Sequence, residues 1–223
     1  PNCGKSSTSD YTLLNGSCYT VPMMFDYLLP FDLSVARAAD RLRALCGSFL
    51  TPVFKGITLC GNLGLIFILS ALVMLFFRKT RKSGTAALIA LSFGALFTNI
   101  ILKNTVARDR PFADPSSEFY LFWKAAGCLT EKGYSFPSGH TTAASAFSFT
   151  LFYQYNKRYS WAFLAIPLLM GFTRVYFSVH FASDVLGGII VGFAAATIAY
   201  FIVRAISKTL RKRNDACKKA EPR

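Results

Sequence analysis

The chain is poor in charge and poorest in acid. Charged residues make up 16% of its 223 positions, with 11 acidic against 25 basic. An ordinary globular domain carries about 25%. Hydrophobic residues reach 53%, 22 of them Phe, and mean hydropathy is +0.39. A soluble domain of this length would expose too much of that apolar surface, so the composition implies one domain built into a membrane. Cysteine is present without pattern: Cys3, Cys18, Cys46, Cys60, Cys128 and Cys217 show no CxxC or Cys/His spacing, which argues against a zinc site. No carboxylate cluster has the look of a Mg²⁺ or Zn²⁺ site, so no cofactor is expected. Histidine occurs twice, as His140 and His180. Residues 1–20 lack an apolar core segment, so no cleavable signal peptide is expected there. There is no internal repeat. Asn15-Gly16-Ser17 fits a glycosylation acceptor, a triplet common by chance.

Five apolar stretches are near the ~20 residues that cross a bilayer as a helix: Ile57–Phe77, Thr85–Leu102, Gly139–Tyr155, Ser160–Phe177 and Val185–Val203. The third is short and is expected to start within Pro137-Ser138-Gly139-His140. One side of this arrangement holds 14 basic and 2 acidic residues, +12 of the total +14. They lie in the 78–82 and 157–158 connections and the tail after 203. By the positive-inside rule that side is cytoplasmic. The charge abuts a span, which argues for a membrane anchor over a nucleic-acid-binding tail. Four cysteines then fall in or near the outer compartment, where a disulfide can form. Residues 33–46 place apolar and charged positions on roughly opposite helical faces and read as an interfacial helix. A sixth, imperfect span over 22–50 stays open and would move the N-terminus inside. The expected fold is therefore an all-α integral membrane bundle of five, at most six, transmembrane helices plus an N-terminal interfacial helix. Its divisions are an outer segment 1–56, a membrane domain 57–206 and a basic cytoplasmic tail 207–223.

Three clusters fall at the outer ends of these spans. Lys103 ends the second and is followed by Arg110-Pro111. Pro137-Ser138-Gly139-His140 opens the third. Arg174 closes the fourth, with His180 and Asp184 beyond it. Lys103 and Arg110 are two helical turns apart, so a helical segment would put both on one face, where two cations clamp an anion. Taken alone, each also reads as a snorkelling interfacial cation. Ser138-Gly139 at a helix start offers free N–H groups and the positive dipole end; the plainer reading, capping by Ser138, is compatible. His180 and Asp184 are i and i+4, so a carboxylate can orient an imidazole. Asp184 also reads as an N-cap of the fifth span, shared with Ser183. Arg108 and Asp109 read as solvated loop charges, with a supporting ion pair as the alternative.

The ordered pattern Lys-x6-Arg-Pro, Pro-Ser-Gly-His, Arg-x5-His-x3-Asp resembles the type 2 phosphatidic acid phosphatase and vanadium haloperoxidase superfamily. The motifs cover residues 103–184 and residues 1–50 have no motif support. One departure is Thr173, where the family has Ser; the hydroxyl is kept. The resemblance implies a metal-independent lipid phosphatase with His180 as nucleophile, Asp184 as its partner and His140 as the acid for the leaving oxygen. Lys103, Arg110, Ser138, Gly139 and Arg174 would hold the phosphoryl oxygens. The soluble haloperoxidase branch is disfavoured by the spans. A transporter is disfavoured because span interiors lack ionisable residues, and a decayed site because every motif position is filled. The expected partners are the bilayer and a lipid phosphate or pyrophosphate, with undecaprenyl pyrophosphate first and phosphatidylglycerophosphate, phosphatidic acid and lipid A phosphates as alternatives. No nucleic acid is expected. The expected location is a bacterial inner membrane with the site facing out. The run Phe119–Trp123 reads as an apolar entry for lipid chains or as a headgroup-level anchor.

Overall fold

A computed structural model of the chain describes residues 20–155 and 157–220, and all regular structure among them is helical. Cys3, Cys18 and the Asn15 triplet lie outside the described residues. Helix α1 (Thr20–Cys60) leads through a short 3-10 turn, Asn62–Gly64, into α2 (Leu65–Phe76). Next come α3 (Arg81–Val106), α4 (Glu118–Ala125), α5 (Gly139–Gln154), α6 (Ala165–Tyr176) and α7 (Ala182–Ala220).

By length and composition, Arg81–Val106 and 182–213 can each cross a membrane, and α1 with α2, bent by 55° between them, would make a third. The expected stretch 57–77 is thus not one helix. It is broken at Gly61–Gly64, where Gly64 holds a left-handed φ of 68°. The third and fourth stretches form shorter helices, of 16 and 12 residues. Helices α1 and α7 run unbroken through positions 56/57 and 206/207.

Helices α3, α5 and α7 form the core, and small residues let them approach. Ala86, Ala87 and Ala90 of α3, Ala144 and Ala146 of α5, and Ala195, Ala196 and Ala199 of α7 are buried. Without a hydrophobic drive between helices in lipid, such close contact is what holds a bundle together. Gly192 shows how tight it is: a Cβ there would lie 2.4 Å from the Ser145 Cβ and 2.6 Å from the Thr142 carbonyl.

Helix α1 lies across one end of this core. Its inward face repeats at helical spacing: Asp32, Ala36, Ala39, Arg43, Phe54 and Thr58 are buried, while Arg37, Leu45 and Phe49 are exposed. Asp32 bonds to Ser183 at the start of α7, and Thr58 bonds to Arg174 near the end of α6. These positions are 26 residues apart, ~39 Å of helix, yet both meet the same end of the bundle. The expected interfacial helix at 33–46 is therefore the middle of a longer helix laid over that end. The buried Arg43, bonded to Asp40 and the Tyr176 carbonyl, departs from the expected segregation of charge.

The Phe119–Trp123 run is also more buried than expected. Phe119 packs on Phe181 and Trp123 stacks on Phe112, leaving Leu121 as the exposed apolar residue. It closes a small core beneath the loops.

A Gly192→Ala change should destabilise the fold by ~1–3 kcal/mol, the usual cost of overpacking, and lower the unfolding temperature in detergent. Gly56→Ala, where a Cβ meets nothing within 4 Å, should leave it unchanged or raise it slightly.

Candidate active site

The motif residues arrive from four directions at the end capped by α1. Lys103 comes from α3, just after the π-helical turn Leu96–Leu102, a widening often found at functional sites. The helix stops at Val106, because Ala107 takes a left-handed φ of 49°. Arg110 therefore sits in the following loop rather than on a helical face shared with Lys103. The two still meet, along the wall of one cavity of about 740 Å³. Arg110 is fixed from all sides. Its Nε–H donates to the Gly133 carbonyl at 2.8 Å, one NH group to Lys132 at 3.0 Å and the other to Val179 at 2.9 Å.

Ser138 is the N-cap of α5. Its side chain accepts from the Thr141 N–H at 3.4 Å and the Thr141 hydroxyl at 3.0 Å, and its own N–H donates to the Asp184 carbonyl at 3.1 Å. Gly139 and His140 form the first turn of α5 and line the cavity. Arg174 is 1% exposed; it donates to the Thr58 hydroxyl, and its Nε–H is buried without a partner. Thr173, the departure from the motif, donates its hydroxyl back to the Met170 carbonyl of its own helix at 2.7 Å.

His180 is 2% exposed, and its Nδ1 lies 3.4 Å from the Asp184 carboxylate. That is ionic contact, longer than a well-formed hydrogen bond. Asp184 is held more firmly than the histidine it faces. It accepts from Arg108 at 2.6 Å, from the Ser135 hydroxyl, and from the Phe181 N–H at 2.9 Å. The last contact is the capping-box bond of the third helical residue to the N-cap amide, so Asp184 stabilises the helix start from inside the helix rather than as the cap itself. Arg108 corrects the expectation of a solvated loop charge. It is buried between the rings of Phe25 and Phe181, at 4.1 and 3.8 Å, and joins Asp184 to Asp32 of α1. Asp109 is exposed, as expected.

Glu131 went unnoticed in the sequence and stands at the centre. Its carboxylate accepts from Arg174, and from Arg110 at 3.1 Å, and lies 3.4 Å from His180 Nε2 and 3.6 Å from His140 Nδ1. Burial pushes its pKa up, but the facing His180 and the charge of Arg174 hold it well below the usual carboxylate range. Among the described residues no group of three or more His, Cys, Asp or Glu is placed to hold a metal ion.

Two arginines, a lysine, two histidines and a helix N-terminus thus converge on one spot with the chemistry of an oxyanion seat. The family model described as the PAP2 superfamily matches residues 83–208. The chain belongs to the PAP2 superfamily. It is accordingly an enzyme, a phosphoric monoester or diphosphate hydrolase of that family. Phosphatidylglycerophosphatase B of Bacillus subtilis is 28% identical over 81% of this chain and 85% of its own. Lipid A 1-phosphatase of Rhizobium etli is 34% identical over 54% of this chain, which spans only 58% of that protein. Other relatives are named undecaprenyl-diphosphatase. Among solved structures, a transmembrane PAP2 type phosphatidylglycerolphosphate phosphatase from Bacillus subtilis superposes with a TM-score of 0.52 at 26% identity, covering 86% of this chain and 98% of that one.

Because Arg108 is the buried link between Asp184 and α1, Arg108→Met should lower kcat by ~10–100-fold, the usual cost of losing an outer partner that orients a working group. KM should change little, since Arg108 does not line the 740 Å³ cavity. Steady-state kinetics of the purified variant checks both.

Proposed function

We propose that this PAP2 member is a lipid phosphatase that works through a phosphohistidine on His180. The observation that carries the reading is the shape of the cavity. Lys103, Arg110 and His140 stand at one part of its wall, while Ile68, Leu88, Leu91, Ala95 and Ala143 line another. A phosphate seat continuous with an apolar space between helices suits a phosphate borne on a hydrocarbon chain. Each buried CH₂ contributes ~0.8 kcal/mol, so the chain can supply much of the binding energy.

In this reading Asp184 holds the Nδ1–H of His180 and leaves Nε2 free to attack phosphorus. His140 gives a proton to the leaving oxygen, then takes one from the water that cleaves the phosphohistidine. Lys103, Arg110, Arg174, the Ser138 hydroxyl and the Gly139 amide bind the phosphoryl oxygens as charge develops on them. The unpartnered, buried Nε–H of Arg174 is a donor left over for such an oxygen. These cations do the work that a metal does in other phosphoryl transfers.

The substrate we put first is undecaprenyl pyrophosphate. A phosphate leaving group needs less help than an alkoxide, and three cations suit its extra charge. A second reading, phosphatidylglycerophosphate, is favoured by the long match to a relative named for that activity. We place the protein in a bacterial inner membrane with five spans, the motif end facing outward and the basic residues inside. The segment 1–56 would then lie outside, 57–206 in the bilayer and 207–223 in the cytoplasm. The charge excess supports the orientation, and α1 laid over the motif end supports an interfacial position for its outer segment.

His180→Asn should abolish turnover, while Asp184→Asn should leave a residue of activity because it misorients the ring without removing it. EDTA should have no effect and vanadate should inhibit. With kcat/KM compared under one detergent condition, undecaprenyl pyrophosphate should exceed phosphatidylglycerophosphate, and both should far exceed glycerol phosphate. Equal rates on glycerol phosphate would refute the lipid reading. For orientation, a thiol reagent that cannot cross membranes should label Cys217 only after permeabilisation.

A further inference from the structure

We propose that Glu131 fills the phosphoryl seat in the resting enzyme, so that each ligand must displace its carboxylate. This deepens the phosphatase reading and rests on it. Both carboxylate oxygens are engaged as two phosphoryl oxygens would be. One meets Arg174 and faces His140 at 3.6 Å; the other meets Arg110 at 3.1 Å and faces His180 Nε2 at 3.4 Å. Nε2 is the atom that must reach phosphorus, and Glu131 stands against it. Glu131 lines the cavity with Lys103, Arg110 and His140, whereas His180 and Arg174 do not line it and are 2% and 1% exposed.

Several features allow the carboxylate to leave. The cavity beside it is open, and Lys103 on the same wall is a second cation to receive it. Gly127 and Gly133, with φ of 94° and 73°, flank the segment in open space. Meanwhile Arg110 bonds to the carbonyls of Lys132 and Gly133 and holds the backbone on one side. The side chain can therefore swing while the loop stays.

The consequence falls on weak ligands. A ligand competing with an occupied seat has its affinity reduced by the fraction of time the seat is open. That factor is the same for every ligand that needs the seat. Inorganic phosphate and short soluble esters have only the seat to bind, so the reduction leaves them little affinity. A lipid also gains from the apolar part of the cavity and keeps enough to bind. Glu131 would thus suppress inhibition by released phosphate.

The test uses the full chain in detergent with Glu131→Ala and Glu131→Gln. Orthovanadate and inorganic phosphate affinities are measured by calorimetry, which needs no turnover, and kcat/KM is measured for p-nitrophenyl phosphate and a long-chain lipid phosphate. A seat occupied about nine times in ten predicts ~10-fold tighter oxyanion binding in Glu131→Ala. kcat/KM should rise by a similar factor on both substrates, leaving their ratio unchanged. Glu131→Gln keeps the shape and should give a smaller shift in the same direction. Unchanged or weaker oxyanion binding in variants that melt like the parent would overturn the proposal. So would an equal loss of rate on both substrates, which would mark Glu131 as part of the chemistry instead. If His180→Asn retained turnover, the failure would lie with the phosphohistidine reading and not with Glu131.

Discussion

Buried positive charge is the constraint on which the rest of this molecule depends. Lys103, Arg110 and Arg174 are drawn out of water at one end of an apolar bundle, where an unpaired charge is costly. Arg174 is almost fully buried, and its partners are the Thr58 hydroxyl and the Glu131 carboxylate, both supplied by other segments. The resting chain answers that charge with Glu131. In the proposed cycle a phosphoryl group answers it, and its developing negative charge is what the cations stabilise best. The cost of assembling like charges in the folded chain is then returned at the step that needs them.

A second buried network sets the aim of His180. Asp184 faces the ring, Arg108 and Ser135 hold Asp184, and Asp32 of α1 completes the charge balance on Arg108. Two acids and one arginine would be a poor source of stability by themselves, since desolvation consumes most of the attraction. Their value lies in geometry, because Asp32 also receives the Ser183 N–H and hydroxyl and so ties α1 to the first turn of α7. Helix α1 contributes at its other end as well, through Thr58 on Arg174. A helix that lies over the site therefore braces both the Asp184 network and Arg174.

Much of the site was legible in the sequence because its residues sit at helix ends, where a motif fixes local geometry. Ser138 caps α5 as its position before an apolar run implies. His180 faces Asp184 as expected, but it lies before α7 begins, so the turn into that helix and not helical spacing brings them together. The apolar stretches marked where helices fall, but not where they break: Gly61–Gly64 interrupts a continuous apolar run. Loop residues outside the motifs were not legible. Glu131 lies in Leu129-Thr130-Glu131-Lys132-Gly133, which has no periodicity, and only Arg110 and Arg174 folded against it reveal its place. Arg108 and Ser135 are similar, since their partners are 76 and 49 residues away. The Phe119–Trp123 run misled because its exposure depended on Phe112 and Phe181, which tertiary structure brings to cover it.

The central claim is that phosphorus passes through His180, and it can be tested by trapping. Enzyme mixed with substrate labelled on the transferred phosphate and quenched in alkali within one turnover should carry a base-stable, acid-labile label. That label should map to the peptide containing His180 and be absent from His180→Asn protein. A labelled peptide elsewhere in the chain, or rapid turnover with no trapped label in repeated early quenches, would contradict the account.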